Sequence, residues 1–220
     1  MIAKFAIEDS IPYLKPTDNI MFALELMEEF KVYHLPVVEN QKLLGIVSEE
    51  QLLELDDTLI IDSLGFPLLK IAAQENLHIF DVMKLGFEST SSVLPVIDKD
   101  ENYLGLISPK SLIENLHQYN FARETGGIFV LEVETINYSL AEITRLIESN
   151  KSMVLSVSTS PVNNDYSSIY VTIKVNTLDL TYILATFERY NYNITQVFHH
   201  AEQIDHLKER YDALMNYINV

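Results

Sequence analysis

The sequence predicts an α/β (α+β) chain in which a β-α-β-β-α unit is present twice and a single β-α-β-β-α-β unit follows. Three observations predict this organisation: an internal repeat, a glycine pair at which the pattern changes, and a strand with strict alternation late in the chain. The chain has 220 residues, of which 48% are hydrophobic, with 6 Gly and 7 Pro. This length suits one large or two small domains, and the chain can bury a sizeable core.

The repeat is visible in two pairs of short apolar segments. Residues 35–38 (LPVV) match residues 94–97 (LPVI), and residues 44–48 (LGIVS) match residues 104–108 (LGLIS). The offset grows from 59 to 60 at the turn between the segments, where the second copy has one extra residue. A shared offset that changes only at a turn indicates a duplicated unit.

Each copy reads as a helix, a strand, a turn, a strand and a second helix. Ser48 and Ser108 stand directly before the second helix, where an N-cap residue accepts hydrogen bonds from free backbone N–H groups. With a short leading strand, these elements form a β-α-β-β-α unit over residues 1–60 and again over residues 61–120. The residues at helical spacing in the first helix are Ala23, Leu26, Met27 and Phe30 in one copy and Val82, Leu85 and Gly86 in the other.

The LPVV and LPVI strands and the GIVS and GLIS strands resemble the CBS domain, and the pair resembles the CBS tandem, or Bateman module. The resemblance implies sheet-to-sheet packing of the repeats and adenine nucleotides or related ligands in the clefts between them. In that family a hydroxyl residue caps the second helix and helps to hold phosphate, and an aspartate three positions later binds ribose. The hydroxyl is present here at Ser48 and Ser108, whereas Gln51 and Ser111 replace the aspartate.

These replacements remove the charge-assisted hydrogen bonds that an aspartate would give to ribose. Ser48 and Ser108 can therefore be ligand contacts or only helix caps, and His34 can line a cleft or be a partly buried histidine. The resemblance gives seven candidate ligand-binding residues in this half of the chain: His34, Pro36, Ser48, Gln51, Pro95, Ser108 and Ser111.

The charge of the chain is strongly negative and unevenly distributed. The 15 Lys+Arg face 32 Asp+Glu, a formal net charge of -17. This excludes nucleic acid and anionic membrane surfaces as expected partners, because both need a cationic patch. Residues 1–120 contain 8 lysines, 20 acidic residues and no arginine. Phosphate recognition in that half depends on few groups: Lys15, Lys31, Lys110, His34 and His78.

The second half begins at a glycine pair, Gly126-Gly127, which predicts a linker and the entry to a strand. Residues 169–175 alternate strictly between apolar and polar side chains, as in a strand with one buried face. Further apolar patterns predict strands over 128–133, 153–158 and 194–198 and helices marked by Leu140, Ile143 and Ile147 and by Leu180, Ile183, Leu184 and Phe187.

The resulting order, β-α-β-β-α-β over residues 127–200, is the ferredoxin-like arrangement. In size and layout it resembles an ACT domain, a regulatory module that often binds amino acids at paired copies. The loop that holds ligand in that family lacks its usual glycine here, so Asn137 and Tyr138 are the candidate contacts. Ser139 is expected to cap the following helix, with Glu142 completing a capping box.

Residues 201–220 are predicted to form a C-terminal helix. The apolar residues Ile204, Leu207, Tyr211, Leu214 and Ile218 recur at coiled-coil spacing. This helix can pack on its own domain or on a partner chain. We predict a homodimer, because both module types that the halves resemble commonly pair.

The sequence predicts no cofactor, no metal and no enzymatic activity. His199, His200 and His206 could meet at a metal, but neighbouring histidines on a strand point to opposite faces. Cysteine is absent, which excludes thiol chemistry. No signal peptide or membrane span is expected, so a cytoplasmic location is predicted.

The combined order resembles the bacterial acetoin-utilisation type of CBS–ACT protein. It implies a non-catalytic regulatory protein that senses a small-molecule effector: an adenine nucleotide or related ligand at the CBS clefts, an amino acid at the ACT-like interface, or both. The alternative is a dimeric scaffold that has lost ligand binding and acts through a partner protein.

Overall fold

The computed structural model describes residues 1–117, 119–163 and 167–198. The chain divides into two compact units, Met1–Leu116 and His117–Val220. The predicted C-terminal helix over 201–220 and the three histidines considered for a metal lie outside the described residues. None of the helices in the described ranges combines the length and the apolar character that crossing a bilayer requires.

The first unit contains the two predicted repeats, with the sequence-predicted helices and strands in the expected order. In the first repeat these are α1 (Ile20–Phe30), β1 (His34–Glu39), β2 (Lys42–Ser48) and α2 (Glu49–Leu53). In the second they are β3 (Ala73–Gln74), α3 (Ile79–Ser89), β4 (Leu94–Ile97), β5 (Tyr103–Ile107) and α4 (Pro109–Leu116). Strands β1 and β2 are antiparallel, as are β4 and β5.

The leading strand differs between the two repeats. In the second repeat, β3 pairs in parallel with β4 over two residues. In the first repeat, the equivalent strand is only an isolated parallel bridge from Leu14 to Val37. Pro12 and Pro16 flank Leu14 and have no N–H to donate, which prevents the pairing from extending.

Each repeat is completed by the segment that precedes the other repeat. The N–H of Glu8 donates to the carbonyl of Leu106 in the second repeat at 2.8 Å. In the same way, Ile46 and Leu69 exchange backbone hydrogen bonds of 2.9 and 3.1 Å, which joins the inter-repeat segment to β2. We call these two pairings the crossovers. They tie the repeats together on both sides.

A glycine lies under each crossover. Gly45 has a φ of 153°, and a Cβ added there would be 2.5 Å from the Cβ of Leu68. Gly105 has a φ of 144°, and its Cβ would be 2.4 Å from the Cγ2 of Ile7. Only glycine tolerates both this backbone conformation and this close approach. The glycines of the two G-apolar-apolar-Ser segments therefore allow the crossovers to form.

The hydrophobic core of the first unit is shared between the repeats. Six of its thirteen buried side chains lie in α1, β1 and β2, and Val93 and Leu106 of the second repeat belong to the same cluster. Leu106 is also the residue that pairs with Glu8, so packing and backbone pairing join the repeats at one place.

The second unit has the predicted β-α-β-β-α-β order, preceded by the short helix α5 (Asn120–Arg123). Its elements are β6 (Ile128–Glu134), α6 (Leu140–Ser149), β7 (Val154–Pro161), β8 (Ser168–Val175), α7 (Thr181–Arg189) and β9 (Asn193–Phe198). The strands form one sheet in the order β7-β8-β6-β9, with every pair antiparallel. This is the ferredoxin-like topology.

Two local features of this unit bear on the sequence predictions: the glycine pair before β6, which agrees with them, and a bulge in β7, which does not. Gly127 exchanges hydrogen bonds with Thr177 and Val175, so the glycine pair does lead into a strand. In β7 the register shifts between Val154 and Ser156, and Val154 and Val157 both pack against the core. This bulge breaks the simple alternation over residues 153–158, and Met153 is exposed.

Candidate functional site

The two repeats of the first unit meet at a polar contact between equivalent loops. Tyr33 precedes β1 and His34 is the first residue of β1. Ser92 is the residue that the repeat offset of 59 places opposite Tyr33. The Ser92 hydroxyl accepts a hydrogen bond from the Tyr33 N–H at 2.9 Å, and Ser92 Oγ lies 3.2 Å from His34 Nδ1. The Ser92 N–H donates to the same Nδ1 at 3.2 Å. We call this contact the junction.

The hydrogen bond from the Ser92 N–H fixes the tautomer of His34. Because Nδ1 accepts this bond, the ring proton of the neutral imidazole is on Nε2. The ring is half-buried, and this burial lowers the pKa of His34 below its ordinary value. His34 is therefore a neutral donor at pH 7 rather than a fixed positive charge.

Ser48 and Gln51 lie beside the junction, because Ser48 is the pairing partner of His34 across β1 and β2. They form a capping box at the start of α2, which confirms the predicted N-cap role of Ser48. The Gln51 N–H donates to Ser48 Oγ at 3.3 Å, and Gln51 Oε1 accepts from the Ser48 N–H at 3.2 Å. The two side chains thus satisfy each other.

Ser108 and Ser111 make the corresponding arrangement at α4. The Ser111 N–H donates to Ser108 Oγ at 3.1 Å, and the Ser108 N–H donates to Ser111 Oγ at 3.0 Å. Both residues are buried. The predicted cap at Ser108 is therefore confirmed, and Ser111 supplies its second half in place of a glutamine or glutamate.

The carboxylate of Glu8, in the first crossover, lies at the N-cap of α4 in the second repeat. We call the surroundings of Ser108 and Ser111 the second cleft and those of Ser48 and Gln51 the first cleft. Glu8 accepts a short hydrogen bond from the Ser108 hydroxyl and another, of 2.6 Å, from Ser10. The bonds from Ser10 and Ser108 lower the pKa of Glu8, and Lys110 adds a smaller contribution in the same direction. The hydroxyl at Ser108 thus already holds an anion, and this anion belongs to the protein.

Pro36 and Pro95 lie in the central strands rather than at an open surface. Each occupies the same position in its repeat, paired with Ile46 and with Leu106 respectively. The carbonyl of Pro36 accepts from the N–H of Leu14 at 2.8 Å. Both prolines are buried, so the structure does not place either predicted contact at an accessible surface.

A cavity of about 280 Å³ opens farther along β2, at the second crossover. Its lining combines apolar side chains with the charged groups of Lys70 and Glu101, and Gly45 exposes its backbone there. The apolar lining residues are Leu43, Leu44, Ile71, Ala72 and Ile97. Both repeats contribute residues to this cavity.

In the second unit, Asn137 and Tyr138 occupy the loop between β6 and α6. The Asn137 amide donates to the carboxylate of Glu134 at 2.7 Å, and Tyr138 packs on the core. Ser139 accepts from the N–H of Glu142 at 3.3 Å, which confirms its N-cap role. The structure therefore places Asn137 at the surface and gives Tyr138 a structural contact. Across the described ranges, no group of three acidic or histidine residues is close enough to hold a metal ion.

The family model for the CBS domain matches residues 5–57 and again residues 70–118. Residues 5–118 therefore contain a tandem pair of CBS domains. The elements of the second unit from β6 to β9 lie outside both matches. The CBS pair accounts for the repeat, for the junction and for the two cap sites described above.

Two curated relatives align with the CBS pair. An uncharacterized protein of Methanocaldococcus jannaschii is 26% identical over 135 residues, which covers 61% of this chain and 51% of that protein. An inosine-5'-monophosphate dehydrogenase of Thermoplasma acidophilum is 27% identical over 120 residues, covering 52% of this chain and 23% of the dehydrogenase. The chain thus spans about half or less of the length of these relatives.

The solved structures to which this chain is similar include a CBS domain pair/ACT domain protein of Thermotoga maritima. It is 23% identical, has a TM-score of 0.47, and the match covers 53% of this chain and 96% of that one. CBSX2 in complex with AMP is also 23% identical, with a TM-score of 0.46 and coverage of 53% and 96%.

Sequence reasoning missed three residues of the candidate site: Glu8, Ser10 and Ser92. Ser92 could have been found, because the repeat offset maps it onto Tyr33, which is adjacent to the candidate His34. Glu8 and Ser10 precede the alignable repeat and reach the second cleft only through the crossover. No local pattern in the sequence indicates that pairing.

The His34 environment predicts a pH dependence of stability. Because the pKa of His34 is lowered in the folded state, the unfolded chain binds more protons below pH 6.5, the ordinary value for histidine. We expect the free energy of unfolding to fall as the pH drops through 6.5. Urea unfolding at about pH 7.5 and about pH 5.5 measures this loss.

The matched variant is His34→Gln, which keeps a hydrogen-bonding side chain but cannot titrate. Its loss of stability between the two pH values should be smaller than that of the wild type. His117→Gln, at an exposed histidine, should leave the wild-type loss unchanged. An unchanged loss in His34→Gln would contradict the prediction.

Proposed function

We propose that this chain is a non-catalytic regulatory protein whose CBS pair binds a small effector, an adenine nucleotide or a related ligand, and which acts as a homodimer. The observation that carries the proposal is the junction of the two CBS domains, where half-buried polar groups of both repeats converge. A ligand held there contacts both repeats at once. It can therefore favour one arrangement of the pair over another, which is what regulation requires.

The charges around the clefts favour ligands with few phosphates. His34 is neutral, Glu8 holds its carboxylate at Ser108, and the first 120 residues contain no arginine. Each additional phosphate adds negative charge close to Glu8 and to the many acidic residues of this unit. We therefore expect adenosine and AMP to bind more tightly than ATP, the reverse of the order in a cationic phosphate site.

Titration calorimetry of the full chain with adenosine, AMP and ATP tests this order. Glu8→Gln removes the internal anion while keeping the shape, and should raise the affinity for AMP by about 3- to 10-fold, with a smaller effect on adenosine. Glu188→Gln, an exposed neutralisation in the second unit, should change neither affinity. Equal changes for AMP and adenosine in Glu8→Gln would argue against a phosphate near Ser108.

A second candidate function is a dimeric scaffold without a ligand, acting through a partner protein. The specific observation in its favour is that the cap residues of both clefts satisfy one another, with Glu8 as an internal substitute for a ligand anion. Thermal-shift measurements separate the two functions, since a ligand that binds the folded state raises the unfolding midpoint. A flat response to millimolar adenine nucleotides and amino acids would favour the scaffold.

The second unit extends the proposal to an amino-acid effector, because its topology is the one expected of an ACT-like module. The loop that carries Asn137 and Tyr138 is the proposed contact. The amino-acid arm of the thermal-shift series tests it, and Asn137→Ala should abolish any amino-acid shift while leaving a nucleotide shift intact.

A further inference from the structure

A cavity of about 280 Å³ beside the second crossover is separate from the two clefts. It lies along the first half of β2, at Leu43 to Gly45, whereas the crossover is carried by Ile46 and the cap residue Ser48 lies beyond it. Sites for drug-sized ligands typically have volumes of about 300–1,000 Å³, so this cavity suits a small molecule. We call it the crossover cavity.

The duplication supplies an internal comparison, because an equivalent place exists beside the first crossover. Leu43 is equivalent to Tyr103, since each pairs with the fourth residue of the LPVV or LPVI segment. Ala72 is equivalent to Tyr13, since each directly precedes the residue that pairs in parallel with the third residue of that segment. Two tyrosines at the first crossover therefore correspond to a leucine and an alanine at the second.

The two tyrosines fill the place beside the first crossover. The ring centroids of Tyr13 and Tyr103 are 5.5 Å apart with an interplanar angle of 70°, which is an edge-to-face contact. Burial raises the pKa of the Tyr103 hydroxyl, and Tyr13 and Asp9 raise it further. Leu43 and Ala72 carry no ring, and the equivalent place beside the second crossover is open. The crossover cavity is thus the space that aromatic rings occupy in the other half of the CBS pair.

The charged residues of the two places also differ. Lys70 takes the position of Asp9, since each follows by two residues the side chain that covers the glycine of its crossover. Glu101 takes the position of Gln41, since each directly precedes the residue that bridges the two hairpin turns. Lys70 and Glu101 are exposed, and among the described residues neither of them forms an ion pair. The crossover cavity therefore offers a cation and an anionic acceptor beside an apolar wall.

We propose that the crossover cavity binds a single-ring aromatic carboxylate that carries a hydroxyl group on the ring. The ring takes the place of the tyrosine rings and lies against Leu43, Ile71 and Ile97. The carboxylate accepts a hydrogen bond from the Lys70 ammonium, and the ring hydroxyl donates one to the carboxylate of Glu101. Both hydrogen bonds are charge-assisted, which makes them stronger than hydrogen bonds between neutral groups.

A ligand in this cavity acts on the CBS pair as a whole. Leu43 belongs to the first repeat and Glu101 to the second, so a bound molecule stabilises the arrangement that brings them together. The crossover cavity thus gives the pair a second effector site, outside both clefts. This inference does not depend on nucleotide binding, because the crossover lies between the cavity and Ser48.

Titration calorimetry of the full chain with 4-hydroxybenzoate tests the site. Benzoate lacks the donor for Glu101, phenol lacks the carboxylate for Lys70, and 4-hydroxycyclohexanecarboxylate lacks the aromatic ring. Each of the three should bind at least about fivefold more weakly than 4-hydroxybenzoate, because each loses one of the three contacts. Absence of 4-hydroxybenzoate binding at millimolar concentration, or equal affinity for any of the three comparison compounds, would overturn the proposal.

Variants that copy the first crossover locate the bound ligand. Leu43→Tyr combined with Ala72→Tyr restores the tyrosine pair and should abolish binding of 4-hydroxybenzoate. Glu101→Gln introduces the residue type of Gln41 with little change in shape and should weaken binding at least about fivefold, so it tests the site even where the double variant does not fold. Lys84→Gln removes an exposed charge of α3 outside the cavity and should bind like the wild type. Wild-type affinity in Glu101→Gln, or in a double variant with a native circular dichroism spectrum, would overturn the proposal.

Discussion

Replacing Gly45 by alanine should lower the free energy of unfolding of the CBS pair by about 3–5 kcal/mol. The φ of 153° is unfavourable for alanine, and the new methyl group would lie 2.5 Å from Leu68 Cβ. The clash is with the start of the side chain of Leu68, which cannot rotate away. Relief would require the second crossover to move off β2 and lose its backbone hydrogen bonds to Ile46.

Gly86→Ala is the matched control. Gly86 lies inside α3, and a Cβ added there has nothing within 4 Å. Alanine should therefore stabilise the protein by up to about 1 kcal/mol, through helix propensity alone. Urea unfolding followed by circular dichroism measures both changes. Gly45→Ala with wild-type stability would show that the crossover is not closely packed on β2.

Replacing Phe187 by alanine should destabilise the second unit by about 3–5 kcal/mol. Phe187 is fully buried, and its ring centroid lies 5.3 Å from that of Phe129 and 5.2 Å from that of Tyr192. Alanine would leave a cavity between α7 and the sheet and remove both ring contacts. Hydrogen exchange followed by mass spectrometry shows where protection is lost.

Tyr182→Ala on the same helix provides the control, because Tyr182 is 75% exposed. Its effect should stay within about 0.5 kcal/mol. Faster exchange in β6 and β8 for Phe187→Ala, with no change for Tyr182→Ala, is the expected result. Equal exchange in the two variants would mean that the aromatic cluster contributes little to this core.

Local sequence patterns predicted the elements of both units because each element carries its own period or cap. Each of these patterns depends only on residues that are close together in the sequence. They are the LPVV and GIVS segments, the serines before α2 and α4, and the alternation over 169–175. The bulge in β7 could not be predicted in the same way, since the shift depends on how Val154 and Val157 pack against β8 and the core.

The second cleft shows why part of the site was missed. The residue that faces Ser108 is Glu8, one hundred positions away. Its place is decided by the first crossover, and a pairing over that distance leaves no periodic trace in the sequence. The same reason hides Ser10, whereas Ser92 is within reach of the repeat comparison.

Because of the crossovers, neither copy of the repeat is complete without the other. Each copy carries, in front of itself, the strip of backbone that completes its neighbour. A fragment ending near residue 60 would keep the strip meant for the absent second copy and expose the edge of β2. We expect this fragment to form its complete structure only when the fragment that contains the second repeat is added. The two repeats therefore form a single folding unit, and we expect that unit to keep its structure in another protein only when both repeats are moved together.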